Sequence, residues 1–278
     1  MPIAAVWDKI SSRGNVEDRR GMSGLALGGG GLGIGGIVLF LLLNYLGGGD
    51  LGDVVNQLDN IQVPSQQIDS GEFAGADNYE VFVSTVLGSN NDMWSQVLAG
   101  NNIDYNQPKL VLFRQLTQSS CGGASSQVGP HYCPTDQTIY IDETFFDELQ
   151  NRFRAKGGDV AEAYVISHEV GHHIQNLLGI MDQVYEEGQS NESSIQLELQ
   201  ADCFAGLWMS SIKDKGVFEE GEISEALDAA AAVGDDRIQA AIEGRVTPEN
   251  WTHGSSEQRT QWFNRGFESG SVGQCNTF

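Results

Sequence analysis

The chain has 278 residues, with 15 Lys and Arg against 38 Asp and Glu, for a formal net charge of −23. A surface so acidic repels phosphate backbones, which excludes non-specific nucleic-acid binding. Hydrophobic residues make up 40% of the chain and charged ones only 19%, which excludes wholesale disorder.

Residues 1–24 are expected to be a short cytoplasmic segment. Leu25–Tyr45 is uncharged over 21 residues and rich in Leu, Ile, Val and Gly. At about 1.5 Å per residue it is long enough to span a hydrocarbon core of about 30 Å. It is longer than a signal-peptide core and no A-x-A-like cleavage site follows it, so residues 25–46 are expected to be an uncleaved, single-pass membrane anchor. Lys9, Arg13, Arg19 and Arg20 precede it, whereas no Lys or Arg lies between Leu46 and Lys109, an interval with nine acidic residues. The positive-inside rule then places the N-terminus in the cytoplasm and everything after Gly47 in the periplasm or cell exterior. Gly31, Gly33 and Gly36 match G-x-G-x-x-G, but without a preceding strand or a following acidic residue they make no nucleotide loop. Gly24/Gly28, Gly29/Gly33 and Gly31/Gly35 have the small-xxx-small spacing of a face for self-association. Residues 47–77, Gly-rich and acidic with no sustained period, read as a flexible linker, and 78–278 as one α+β domain.

All four cysteines, Cys121, Cys133, Cys203 and Cys275, follow the apolar stretch. An even count outside the cytoplasm suggests two disulfides, and four cysteines allow three pairings. Local spacing favours Cys121–Cys133, which leaves Cys203–Cys275 to fasten the tail to an internal helix. His131-x-Cys133 is too sparse for a metal site and reads as structural.

Lys109–Leu116 and Gln137–Ile141 have strand-like apolar runs, and Phe145–Arg154 has a helical pattern. Residues 159–178 read as one helix, with Asp159 and Glu162 at capping-box spacing and Gly179 at its end. Inside it lies His168-Glu169-Val170-Gly171-His172, an H-E-x-x-H motif. Residues i and i+4 share a helix face, so both imidazoles can reach one metal ion, with Glu169 beside them as a base. His173 is rotated by roughly 100° and is expected to be a non-ligand.

A zinc hydrolase needs a third protein ligand and an open position for water. The metzincin positions hold Gln175 and Leu178, so the ligand must come from elsewhere. Asn191 to Lys213 reads as a second helix, with Asn191 as N-cap and Leu197, Ala201, Phe204, Leu207 and Trp208 on one face. Its Glu198 and Asp202 are also i and i+4. One of these carboxylates can ligate zinc while the other accepts a hydrogen bond from a ligand histidine.

These two blocks resemble the gluzincin pattern of thermolysin-type and CAAX-processing peptidases, and more closely a bacterial family of neutral zinc metallopeptidases with one N-terminal anchor. The resemblance extends to Arg19-Arg20-Gly21, Cys121-Gly122, Tyr132-Cys133-Pro134, Gly234-Asp235-Asp236-Arg237, Thr252–Arg259 and Gly266–Gly270. It implies a zincin-like fold in which Gly129–Cys133 supplies an edge strand where a peptide substrate adds as another strand. It also implies an oxyanion donor, with His253 as the candidate and Arg237 a weaker one. Ser255 and Gln258 form a capping box just behind His253, but Gly254 stands where related gluzincins have Pro.

The function expected is that of a membrane-anchored metalloendopeptidase. The resemblance puts the anchor in a bacterial inner membrane. His168, His172 and Glu198 would hold one Zn²⁺, Asp202 would hold the outer nitrogen of His168, and Glu169 would act as general base on a zinc-activated water. The alternative, from another class, is an extracytoplasmic binding or scaffold protein with a structural or vestigial zinc site. Such a site would not need Glu169 and would tend to have a fourth protein ligand.

Overall fold

The computed structural model describes residues 5–21, 77–125, 129–153 and 155–278. Its main sheet has the order β1-β2-β6-β5, with β1 at Asn15–Asp18, β2 at Lys109–Phe113, β5 at His131–Cys133 and β6 at Thr138–Asp142. The first three in that order run parallel, and β5 pairs antiparallel with β6. Central strands β2 and β6 are nearly continuous apolar runs, as a strand covered on both faces requires, and β6 is buried throughout. Gln115, with φ 66°, ends β2 sooner than its sequence suggests. It turns the chain into a hairpin of β3 (Leu116–Ser119) and β4 (Gly122–Ser125). The Cys121–Cys133 disulfide ties that hairpin's turn to β5.

The domain boundary expected at residue 78 is corrected by β1. Asn15–Asp18 pairs in register with Lys109–Leu112, so the N-terminal segment belongs to the same unit as the rest of the domain. Ala5 and Ile10 are buried, Trp7 stacks on Trp208, and the Trp7 indole N–H donates to Asp159 at 2.7 Å. The expected anchor, its glycine faces and the linker up to residue 76 lie outside the described residues. Among the described residues no helix is long and apolar enough to cross a membrane.

Helices α1 (Asn78–Ala99) and α2 (Phe145–Phe153) flank the sheet region, followed by α3 (Asp159–Leu177), α4 (Ile180–Glu186) and α5 (Asn191–Ile212). Then come α6 (Ile223–Ala232), α7 (Asp235–Glu243) and α8 (Ser256–Ser269). Helix α3 has no capping box. Its N-cap is Gly158, which offers no side-chain oxygen to accept from the first turn. Glu162 is turned inward beside Tyr79, where burial pushes its carboxyl up to about 7. Gly179 does end α3 in a left-handed conformation, φ 71°. Helix α5 starts from Ser190, whose side chain makes a capping box with Ser193, one residue before the expected cap.

Two crossings fix where the functional side chains meet. A Cβ on Gly171 of α3 would lie 2.9 Å from the Cα of Ala201 on α5, so only glycine permits this approach. Gly206 on α5 and Gly266 on α8 face each other's helices, where a Cβ would lie 2.0 Å from the Phe263 carbonyl and 1.9 Å from that of Cys203. The Cys203–Cys275 disulfide then ties the tail to α5.

Candidate metal centre

The Gly171–Ala201 crossing places the H-E-x-x-H turn of α3 against the E-x-x-x-D turn of α5. His168 Nε2 is 3.2 Å from Glu198 Oε2, and His172 Nε2 is 3.4 Å from Glu198 Oε1. One ligand atom from each of the three residues falls within 4.8 Å of the others. Two ligands of a tetrahedral zinc, bound at about 2.0–2.1 Å, lie roughly 3.3–3.4 Å apart, so this donor set fits the ion. The electrostatics agree. Burial opposes the charged form of His168, but Asp202 and Glu198 outweigh it and raise its pKa to about 9. Burial pushes Glu198 up, yet the two imidazoles hold it well below the usual carboxylate range. Two carboxylates on two imidazoles call for positive charge between them, which a divalent ion supplies.

Each histidine is held from behind in a different way. His168 Nδ1 lies 2.9 Å from Asp202 Oδ1, which also accepts from the Tyr164 hydroxyl at 2.5 Å. Arg259 of α8 grips the same carboxylate through Nε at 2.8 Å and Nη2 at 2.9 Å, and its Nη2 lies 3.5 Å from Glu198 Oε2. Asp202 and Arg259 are both buried. A buried carboxylate is costly unless paired, and this bidentate contact provides the pairing.

His172 is held by a neutral chain. Its Nδ1 lies 2.9 Å from Gln175 Oε1, and Gln175 Nε2 donates to the Leu197 carbonyl at 2.7 Å and to Gln200 Oε1 at 3.1 Å. Gln200 Nε2 in turn donates to the Cys275 carbonyl at 3.0 Å, so the chain ends at the tail disulfide.

Glu169 is 6% exposed, and its Oε2 is buried without a partner. An orphaned carboxylate oxygen next to three metal-binding side chains is expensive for stability and suited to holding a water molecule. His173 lies apart from the trio. Its ring bonds the Tyr132 hydroxyl at 3.0 Å and the Asn106 carbonyl at 2.7 Å, and burial lowers its pKa to about 4. It therefore ties α3 to β5 as a neutral ring. Asn176 also donates to Tyr132, so the outer strand of the sheet is held alongside the metal-binding helix. His131 stacks on Tyr140 at 5.2 Å, away from any metal role.

His253 projects from the loop before α8, where the Ser255/Gln258 capping box is present. Asp235 organises that loop: its Oδ2 accepts the backbone N–H groups of Thr252 at 2.8 Å, His253 at 2.6 Å and Gly254 at 3.0 Å. Its Oδ1 lies 3.2 Å from His253 Nδ1. That hydrogen bond raises the pKa of His253, whose side chain is 48% exposed, and the charge of Glu198 adds to the rise. Arg237 reaches Asp228, 3.8 Å away. Sequence reasoning missed Gln175, Gln200, Tyr164, Asp235 and Arg259 as supports. Gln175 stands one turn after His172, a position weighed only as the glycine of the metzincin motif, and Arg259 ends the Thr252–Arg259 block.

A family model described as "putative neutral zinc metallopeptidase" matches residues 5–278. The chain belongs to that family. Within this zinc metallopeptidase family it is 43% identical to the uncharacterized protein YpfJ of Escherichia coli strain K12, over 98% of each chain. It is also 42% identical to the uncharacterized protein Rv2575 of Mycobacterium tuberculosis strain H37Rv, over 73% of each chain. No solved structure matches it. The family match begins at residue 5, ahead of β1, and so includes the N-terminal strand.

Proposed function

We propose that the chain is a zinc-dependent endopeptidase held at a bacterial membrane through residues 25–46. The observation that carries this reading is the Glu169 carboxylate, buried with an unpartnered oxygen beside a His168, His172 and Glu198 trio. Zinc bound there would lower the pKa of a coordinated water to about 7 and polarise a substrate carbonyl. Glu169 is placed to accept the water's proton and return it to the leaving amine. His253, charged through its contact with Asp235, donates to the oxygen that gains negative charge. Asp202 and Gln175 keep the outward nitrogens of His168 and His172 protonated, which turns both Nε2 atoms toward the metal. The outer edge of β5 offers an extended peptide the place of a further strand.

A structural zinc site in a scaffold protein is the weaker reading. The clustered ligand set among the described residues holds three side chains rather than four, and a structural site has no use for Glu169. The test is hydrolysis of casein or a peptide library by the detergent-solubilised full chain. Activity that disappears with a chelator and returns with stoichiometric zinc supports the peptidase; a zinc-loaded chain with no hydrolysis under any condition supports the scaffold.

A further inference from the structure

The basic residues that give the N-terminal segment its cytoplasmic signature are occupied in the fold. The Arg20 side chain is 1% exposed, with its guanidinium on Asp18 at 2.7 Å, Glu143 at 2.8 Å and Asp77 at 3.1 Å. Arg19 pairs with Glu17 at 2.6 Å and reaches Thr117 and the Gln118 carbonyl of the β3–β4 hairpin. Arg13 donates to Thr85 of α1 at 2.7 Å. Three of the four cations that the positive-inside rule counts thus have a structural reason to be there. The surrounding backbone agrees: β1 is hydrogen-bonded along β2, and Val6 N–H donates to the Val217 carbonyl at 2.7 Å.

Arg20 and Asp77 bracket the apolar stretch and touch each other. A single crossing by Leu25–Tyr45 would leave them on opposite sides of a hydrocarbon core about 30 Å thick. A contact of 3.1 Å is incompatible with that separation. The remaining sequence offers no second crossing to bring the chain back. Residues 46–76 contain Asp50, Asp53, Asp59, Asp69 and Glu72 and no apolar run of the length a span needs.

We propose that residues 5–20 and the metal-binding domain share one compartment. With both disulfides in the same unit, that compartment is an oxidising one. The inference stands on strand pairing and buried charge, independently of whether the chain hydrolyses peptides.

The experiment uses the full chain in bacterial membranes. All four native cysteines are in disulfides, so each introduced cysteine is the sole free thiol. Lys9→Cys and Asp214→Cys replace exposed residues, one before β1 and one just after α5. A membrane-impermeant maleimide is applied to intact spheroplasts and again after lysis. The expected result is the same intact-to-lysed labelling ratio at both positions. Labelling of Asp214→Cys in intact spheroplasts with Lys9→Cys reacting only after lysis, or the reverse, overturns the proposal. A chain whose thiols all react only after lysis keeps the shared compartment but contradicts its oxidising side.

Discussion

Replacing Gln175 separates metal support from fold stability, because its side chain serves each through a different atom. Its Oε1 faces His172 Nδ1, while its Nε2 serves Leu197 and Gln200. Gln175→Ala removes both functions. Loss of the outer hydrogen bond to a ligand histidine typically weakens metal binding about 10–100-fold, or about 1.4–2.8 kcal/mol. Leaving Gln200 Oε1 without its donor inside the protein costs a further ~1–3 kcal/mol of stability. Gln175→Glu keeps an acceptor for His172 but loses the donor, and Gln200 cannot rotate to compensate without giving up the Cys275 carbonyl. It should therefore bind zinc at least as tightly as the parent while the metal-free protein melts earlier, by roughly 2–4 °C per kcal/mol lost. Competition with a chromophoric chelator reads the affinity, and thermal unfolding in excess chelator reads the stability. If Gln175→Glu binds zinc as weakly as Gln175→Ala, or if Gln175→Ala matches the parent, the amide chain does not position His172.

Three further outcomes follow from the same geometry. Asp202→Asn should weaken zinc binding about 10–100-fold by chelator competition, whereas Asp214→Ala, on the exposed surface after α5, should leave it unchanged. His253 has a raised pKa, so its charged form is present below that value and lost as pH rises through it. Asp235→Asn should move the alkaline limb of the kcat–pH profile down toward the ordinary histidine value of about 6.5, and an unmoved limb would remove His253 from the chemistry. A chain starting at residue 78 lacks β1 and Arg20, which bares the β2 edge and strips Glu143 of a buried partner. It should be insoluble or metal-free, whereas joining Arg20 to Asp77 through a short Gly/Ser linker in place of 21–76 should give a soluble, zinc-binding domain.

What was legible in the sequence was local. H-E-x-x-H and E-x-x-x-D announce themselves through the i, i+4 period, Gly179 and the Ser255/Gln258 box mark helix ends, and a separation of 12 positions from Cys121 to Cys133 suits a short loop. What was not legible depends on partners far along the chain. Asn-Val-Glu-Asp has no alternation of its own, and β1 exists because β2 offers it an edge. Arg19 and Arg20 look like a topology signal because a sequence does not show that Glu17 pairs with Arg19 and that Asp18, Asp77 and Glu143 converge on Arg20. Amide chains such as Gln175–Gln200 carry no distinctive spacing. The cap of α3 failed as a prediction because the helix begins at Asp159 itself, so Gly158 holds the capping position and Asp159 lies inside the first turn.

The central claim is that Glu169 moves protons at a metal site it does not help to build. The direct measurement is Glu169→Gln in the detergent-solubilised full chain, with zinc content and peptide hydrolysis read on the same preparation. The account predicts one zinc per chain, as in the parent, and hydrolysis reduced about 100-fold or more. Retained zinc with undiminished hydrolysis contradicts it.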